Sequence, residues 1–231
     1  MTSLIADIVR YSLRLSPALI AFGILIALLG RWGDSDSSAG SSIAATGVSY
    51  IAHRMVLYNL RFSRWGKMEA PEGAYVPPEA VGRFIVVSLG HLAIGLVVVF
   101  FVASLFSGVM AHHGAAFWII LFSMSMVSWV LLTFLGTIYP ASADHEFPSL
   151  IRALRAGRQT WSSVAWQLLL FPGLYGFVVI AVSLMAIPSA GEAERWDPVF
   201  IALDALSLAA QFEIQVMIAV ILTRAYRRAW E

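Results

Sequence analysis

The sequence contains no cysteine and few charged residues. The absence of cysteine excludes disulfides, thiolate metal sites and cysteine nucleophiles. Charged residues make up 13% of the chain and hydrophobic residues 59%, whereas soluble domains have about 25% and about 45–50%. Ser-His-Asp triads, phosphate-binding loops and HExxH zinc motifs are also missing from the sequence. We therefore expect a non-enzymatic polytopic membrane protein with no metal and no cofactor. A formal net charge of +1 gives no reason to expect nucleic acid as a partner.

Apolar runs long enough to cross a bilayer recur along the whole chain, and about 20 such residues span its hydrocarbon core. We predict a single all-α domain over residues 1–231, a bundle of six transmembrane helices. The predicted spans are about residues 16–30, 41–60, 84–110, 115–139, 164–187 and 199–223. Amphipathic segments at residues 3–14 and 148–160 are predicted to lie on the membrane surface as lead-in helices. The first apolar run has no clean cleavage site after it, so we expect it to be retained.

The distribution of basic residues predicts the orientation of the chain. With a cytoplasmic N-terminus, twelve of the 15 lysines and arginines fall in cytoplasmic segments. Only Arg31 and Arg195 fall on the opposite side, and Arg54 lies within a span. Cytoplasmic loops of membrane proteins carry an excess of Lys and Arg. We therefore predict that both termini are cytoplasmic.

Several polar side chains lie inside the predicted spans. An ionisable group near mid-membrane costs several kcal/mol, so it faces a partner or a wet cavity. Counted along the helices from the cytoplasmic boundary, Arg54, His91 and Glu213 lie at depths of about 10, 12 and 16 Å. We predict an intramembrane polar cluster of His53, Arg54, His91 and Glu213, in which Arg54 pairs with Glu213. Such a pair either joins two helices or belongs to a functional polar cavity. The remaining alternative is that Arg54 extends to the membrane interface and Glu213 is protonated.

Two further sets of charges are candidate sites. Three arginines recur at intervals of three residues on one face of the second lead-in segment: Arg152, Arg155 and Arg158. They either bind anionic lipid headgroups or act only as topology determinants. Asp204 lies near the outer end of the last span. We expect it to pair with Arg195 or Arg31, or to meet water, rather than to serve in a proton relay.

Three stretches carry a resemblance to known proteins: SYIAHRMVLYNL, GRFIVVSLGHL and PSLIRALRAGRQTWSSVAWQLLLFPGLYG. They resemble a group of uncharacterised six-helix bacterial inner-membrane proteins, and the last is similar to the membrane domain of some glycerophosphodiester phosphodiesterases. His53 and Arg54 match a His-Arg pair of that group. Asn59 and Leu60 replace the acidic residue that often follows the pair, and the catalytic phosphodiesterase domain is missing. The resemblance implies a membrane scaffold in the bacterial inner membrane.

We therefore expect an accessory or assembly factor that binds membrane lipids or another integral membrane protein. The alternative is a small transporter or lipid-handling protein that uses the intramembrane Arg/His/Glu cluster. A haem-bearing electron carrier is the least favoured hypothesis. It would require His53 and His91, on different spans, to ligate a b-type haem.

Overall fold

The computed structural model describes residues 3–32, 38–62, 68–73, 75–76, 81–105, 113–144, 149–186 and 197–230. These residues form eight α-helices: α1 (Leu4–Trp32), α2 (Ser38–Tyr58), α3 (Val81–Leu105), α4 (His113–Leu135), α5 (Ile138–Ala143), α6 (Leu150–Leu168), α7 (Leu174–Ala186) and α8 (Pro198–Trp230). A π-helical turn, Leu169–Gly173, joins α6 to α7. Two short antiparallel strands, β1 (Arg61–Phe62) and β2 (Met68–Glu69), follow α2. The prediction of an all-α fold is confirmed.

Four helices of the described residues are long and apolar enough to cross a membrane: Leu4–Trp32, Val81–Leu105, Leu150–Ala181 and Pro198–Trp230. Ile119–Leu135, within α4, is a shorter apolar helix. Helices of this length and composition are expected in a bilayer, because apolar side chains there meet hydrocarbon instead of water. The protein is therefore an all-α membrane protein.

The two predicted lead-in segments are continuous with the helices that follow them. Residues 4–14 form the first turns of α1, which runs on without a break to Trp32. In the second segment, α6 begins after Ser149. The Ser149 hydroxyl accepts a hydrogen bond from the backbone amide of Arg152, as the side chain of an N-cap residue does. The π-helical turn then carries the helix past Pro172, which has no amide hydrogen to donate. Each segment is thus part of one long helix.

Helix α8 lies at the centre of the molecule and packs against α1, α2, α6 and α7. Its most extensive contact is with α1, and the two helices are antiparallel. Ion pairs join them near both ends, Asp7 to Arg224 and Arg31 to Asp204. Between these pairs, Gly23 lies directly against the α8 backbone. The small glycine allows the close approach, as is common at membrane helix interfaces.

Helices α4 and α6 form a second tight pair beside α8. Gly157 of α6 contacts the backbone of Phe134 in α4. The indole nitrogen of Trp129 donates a hydrogen bond to the Ala165 carbonyl oxygen at 3.1 Å, which also ties α4 to α6. Helix α3 packs against α4 and α5 but touches α2 only sparsely. A space therefore remains between α2 and α3.

Candidate functional site

A cavity of about 730 Å³ lies between α2, α3 and α4. Tyr139 of α5 and two side chains of α8, Gln215 and Ile218, complete its lining. Ligand-binding cavities in proteins generally measure about 300–1,000 Å³. The cavity is therefore large enough to hold a small molecule or part of a lipid.

The two main walls of the cavity differ in polarity. On α2 the lining includes a polar stripe with helical spacing, formed by Ser42, Thr46, Ser49 and His53. This stripe runs about 16 Å along the helix at 1.5 Å per residue. On α3 the lining is mainly apolar and includes Ile85, Leu89 and Leu92, together with Ser88 and His91. The polar stripe explains why α2 is not among the four helices that are apolar enough to cross a membrane, because its polar side chains face the cavity.

His53 lies at the deep end of the stripe and is only 1% exposed. Its Nδ1 atom is 3.2 Å from the Thr223 hydroxyl oxygen of α8. Its ring stacks on Tyr139, with centroids 6.0 Å apart and planes 6° apart, and also contacts Phe84 at 5.6 Å. The Nε2 atom has no hydrogen-bond partner among the described residues. His53 is thus held rigidly, with one ring nitrogen left open for a further interaction.

His91 approaches Tyr139 from α3. Its ring centroid is 6.0 Å from that of Tyr139, and its Nε2 atom lies 3.5 Å from the Ser128 hydroxyl of α4. The two histidines of the predicted cluster therefore contact the same tyrosine and line the same cavity. They are the two members of the predicted cluster that the structure brings together.

Arg54 points away from the cavity and is only 3% exposed. Its Nη1 atom donates a hydrogen bond to the Ala143 carbonyl oxygen of α5 at 3.4 Å. The guanidinium carbon lies 5.9 Å from the ring centroid of Tyr50 and 5.2 Å from that of Tyr58. At these distances the cation is attracted by the faces of both rings. The stripe of Tyr50, Arg54 and Tyr58 thus faces α5.

The acidic residue that contacts the stripe of Tyr50, Arg54 and Tyr58 is Asp144, which was not among the residues predicted from the sequence. The Tyr58 hydroxyl donates a hydrogen bond to one carboxylate oxygen of Asp144, and the Tyr226 hydroxyl donates to the other at 3.2 Å. These contacts join α2 to the end of α5 and to α8. One signal could have identified Asp144: it is the first acidic residue after the fourth predicted span, on the side where Arg54 lies.

Glu213 does not meet Arg54. It lies ten residues before Thr223 in α8, which corresponds to about 15 Å along the helix. Thr223 contacts His53, the residue before Arg54, so Glu213 lies about three turns away from Arg54. The side chain is partly buried, and the polar groups near it include the Ser12 hydroxyl of α1 and the Tyr175 hydroxyl of α7. The contact with Ser12 does not meet hydrogen-bond geometry, since the Ser12 oxygen has no hydrogen-bond partner among the described residues. The predicted Arg54–Glu213 pair is therefore wrong.

The error came from the depth assigned to α2. The prediction counted from Arg61 as the cytoplasmic boundary, but α2 ends at Tyr58 and Arg61 belongs to strand β1. Arg227, near the end of α8, donates hydrogen bonds to the carbonyl oxygens of Leu57 at 2.6 Å and Val56 at 3.3 Å. The last turns of α2 and α8 are therefore level, so Arg54 lies beside the final turns of α8.

The three arginines of α6 form an exposed surface that we call the basic face: Arg152, Arg155 and Arg158. The opposite side of the helix is buried through small residues, Ala153 and Ala156. The guanidinium carbon of Arg152 lies 4.8 Å from the ring centroid of Trp230. Exposed Ile151 and Leu154 lie beside the arginines. Basic and apolar side chains are thus presented together, as in helices that contact a bilayer surface.

Asp204 lies at the opposite end of α8 and accepts a hydrogen bond from Arg31. Its side chain is 52% exposed. Arg31 is one of the two arginines that the sequence predicts as its neighbours. The contact makes Asp204 part of the α1–α8 interface.

Comparisons of the chain with models of known protein families, with curated proteins and with solved structures find no match. Among the residues that the structure describes, no group of three or more His, Asp or Glu side chains is placed to hold a metal ion. The cavity and the charged surfaces are the features of this chain that bear on its function.

Proposed function

We propose that the protein is a six-span, non-enzymatic protein of the bacterial inner membrane that binds membrane lipid, acting as an accessory or assembly factor. The observation that carries this proposal is the cavity between α2 and α3. It has a polar wall and an apolar wall, as an amphiphilic ligand requires. A lipid is the amphiphile that surrounds such a protein on every side.

The position of the cavity opening supports a lipid as the ligand. Apolar lining residues around it are exposed, with Ile43 at 76% and Leu89 at 58%. Only 6% of the α3 span is buried within the protein. In a bilayer these side chains would meet hydrocarbon. A lipid could therefore enter sideways from the membrane without first crossing water.

The proposal of six spans requires α2 and α4 to cross the membrane as well. Helix α2 packs along α8 through Val48, Ala52 and Met55, which are all buried. Its polar stripe faces the cavity instead of lipid, and polar residues inside membranes commonly face an interior cavity. The bias of basic residues supports the same arrangement, because removing the second span would move several arginines to the wrong side.

The basic face supports a second contact with lipid. Each basic residue near an anionic membrane surface contributes about 1 kcal/mol of binding. We propose that the basic face lies at the cytoplasmic surface and contacts anionic headgroups there. The same surface is open to another integral membrane protein, which would fit the proposed role of an accessory factor.

A small transporter is the second candidate function. The observation that favours it is the polar stripe, which continues from Ser42 to His53 with His91 opposite. The separation of Glu213 from Arg54 removes the charge cluster on which that hypothesis depended.

A haem-bearing electron carrier would show a visible absorption band in the purified protein, so an absorption spectrum tests it directly.

Two glycine substitutions test the proposed function. A Cβ atom on Gly47, which lines the cavity, would meet nothing within 4 Å, and the same is true of Gly90, which does not line it. A side chain at residue 47 therefore begins in open space, so Gly47→Phe should occupy part of the cavity, and Gly90→Phe is the matched control. Native mass spectrometry in a mild detergent would count the lipids that each protein retains. We expect Gly47→Phe to lose one bound lipid that the wild type and Gly90→Phe keep. Equal lipid counts in all three would contradict the proposal.

A further inference from the structure

Among the residues that the structure describes, those that line the cavity carry no formal charge. None of them is Asp, Glu, Lys or Arg. Arg54 lies next in sequence to His53 but is directed towards α5 and the Tyr50 and Tyr58 rings. A charged headgroup moved into this cavity would lose its hydration and find no opposite charge among these residues, which is strongly unfavourable. The part of a ligand that lies inside the cavity is therefore uncharged.

Three lining side chains, in addition to the Nε2 atom of His53, retain open hydrogen-bonding capacity. The Gln215 carboxamide, the Tyr139 hydroxyl and the Ser49 hydroxyl make no hydrogen bond to the part of the chain that the structure describes. They differ from Thr46 and Ser88, whose hydroxyls donate to carbonyl oxygens one turn back in their own helices. Polar groups inside a membrane protein are generally hydrogen-bonded. The three open groups are therefore suited to a ligand that offers oxygen atoms.

Among these open groups, Gln215 lies farthest from the ends of α2 and α8 that Arg227 joins. Gln215 precedes Thr223 by eight residues, which corresponds to about 12 Å along α8. Thr223 in turn contacts His53, five residues before the end of α2, and Arg227 contacts the last carbonyl groups of that helix. A ligand that reaches Gln215 must bring its polar end into the interior of the bundle. Its apolar part then lies along Leu89 and Leu92 towards the opening.

We infer that the cavity binds an uncharged lipid whose polar end presents carbonyl or hydroxyl oxygens to Gln215, Tyr139 and Ser49. This inference rests on the proposed function and specifies its ligand class. A neutral glycerolipid such as diacylglycerol and a prenyl quinone share this chemistry, because both join uncharged oxygen groups to a long apolar chain. Glutamine and tyrosine can donate to such oxygens, and the glutamine carbonyl can accept from a hydroxyl.

Two glutamines of α8 provide the test. Gln215 lines the cavity, whereas Gln211, one turn earlier, is exposed and does not line it. The full chain and the variants Gln215→Leu and Gln211→Leu would be purified in a mild detergent. Their lipids would then be extracted and quantified by class. Loss of a hydrogen bond should lower the retained uncharged lipid about three- to tenfold in Gln215→Leu. We expect no change in Gln211→Leu.

A second variant shows whether a loss of lipid in Gln215→Leu comes from the lost hydrogen bond or from misfolding. Tyr139→Phe removes one hydroxyl and keeps the ring that stacks on His53. It should lower the same lipid to a similar extent, and size-exclusion chromatography would show that each variant remains folded. Ultraviolet absorption of the extract separates a quinone from a glycerolipid, and either result supports the inference.

The contradicting results distinguish the inference from the proposed function. Suppose that a charged phospholipid is retained at one per chain and is lost in Gly47→Phe. The inference about an uncharged ligand would then be wrong, while the proposed function would stand. If instead no lipid differs between the wild type, Gly47→Phe and the glutamine variants, both are wrong.

Discussion

Gly157→Ala should disrupt the contact between α4 and α6, on which the position of α4 at the cavity depends. A Cβ atom at residue 157 would lie 2.7 Å from both the carbonyl carbon and the Cα atom of Phe134, and closer still to its carbonyl oxygen. Ordinary contacts of a Cβ atom begin at 3.4 Å, so the helices would have to separate by about 1.2 Å to relieve the contact with the carbonyl oxygen. The obstacle is backbone, which cannot rotate away as a side chain can.

The expected loss of stability follows from this overlap. Overpacking in a close-packed interior costs about 1–3 kcal/mol, and an overlap with three backbone atoms should give the upper part of that range. Replacing glycine by alanine within a helix also contributes a gain of up to about 1 kcal/mol. Gly90→Ala is the matched control, since a Cβ atom there would meet nothing within 4 Å. The difference between the two variants therefore isolates the overlap.

Thermal unfolding in detergent or in nanodiscs would measure the effect. We expect Gly157→Ala to unfold several degrees below Gly90→Ala, because a loss of 1 kcal/mol shifts the midpoint by about 2–4 °C in a chain of this size. We also expect less bound lipid in Gly157→Ala, since movement of α4 alters one side of the cavity. Equal midpoints for the two alanine variants would refute the close α4–α6 packing.

Three further predictions concern other parts of the molecule. Reporter fusions at Glu231 should place the C-terminus in the cytoplasm, as the bias of basic residues predicts, and an external reporter would contradict the six-span arrangement. Changing all three arginines of the basic face to Gln should weaken binding to anionic nanodiscs, whereas an unchanged lipid preference would leave them as topology determinants. Asp144→Asn should lower stability by about 1–3 kcal/mol, because two tyrosine hydroxyls would lose a charged acceptor. Thermal unfolding would measure this effect, and an unchanged midpoint would show that the contacts of Asp144 contribute little.

Composition and apolar run length were sufficient to predict an all-α membrane protein, because the cost of placing apolar surface in water acts on each helix separately. The same local reasoning placed α1 and α8 in the membrane and identified the unusual polarity of α2. It did not reveal that α2 and α3 stand apart, since that space depends on how α3 packs against α4 and α5. The cavity is therefore a property of the assembled helices.

The composition of the polar cluster could be predicted only in part. His53 and His91 meet at Tyr139 because their helices border the same cavity. The partner predicted for Arg54 was wrong because counting residues gives depth only relative to an assumed boundary, and that boundary was misplaced for α2. Asp144 lies 86 residues from Tyr58, with which it forms a hydrogen bond. Such a long-range contact cannot be found from the spacing of residues within a helix.

Photocrosslinking of a lipid from the bilayer tests the central claim most directly. The protein would be placed in nanodiscs that contain an uncharged lipid with a photoreactive group on its acyl chain, and the labelled residues would be mapped by mass spectrometry. If the cavity binds lipid, saturable labelling should concentrate on its α3 wall, at Leu89 and Leu92, and should disappear in Gly47→Phe but not in Gly90→Phe. Labelling that is spread evenly over the exposed faces of α1 and α3 and is unchanged in Gly47→Phe would contradict the claim.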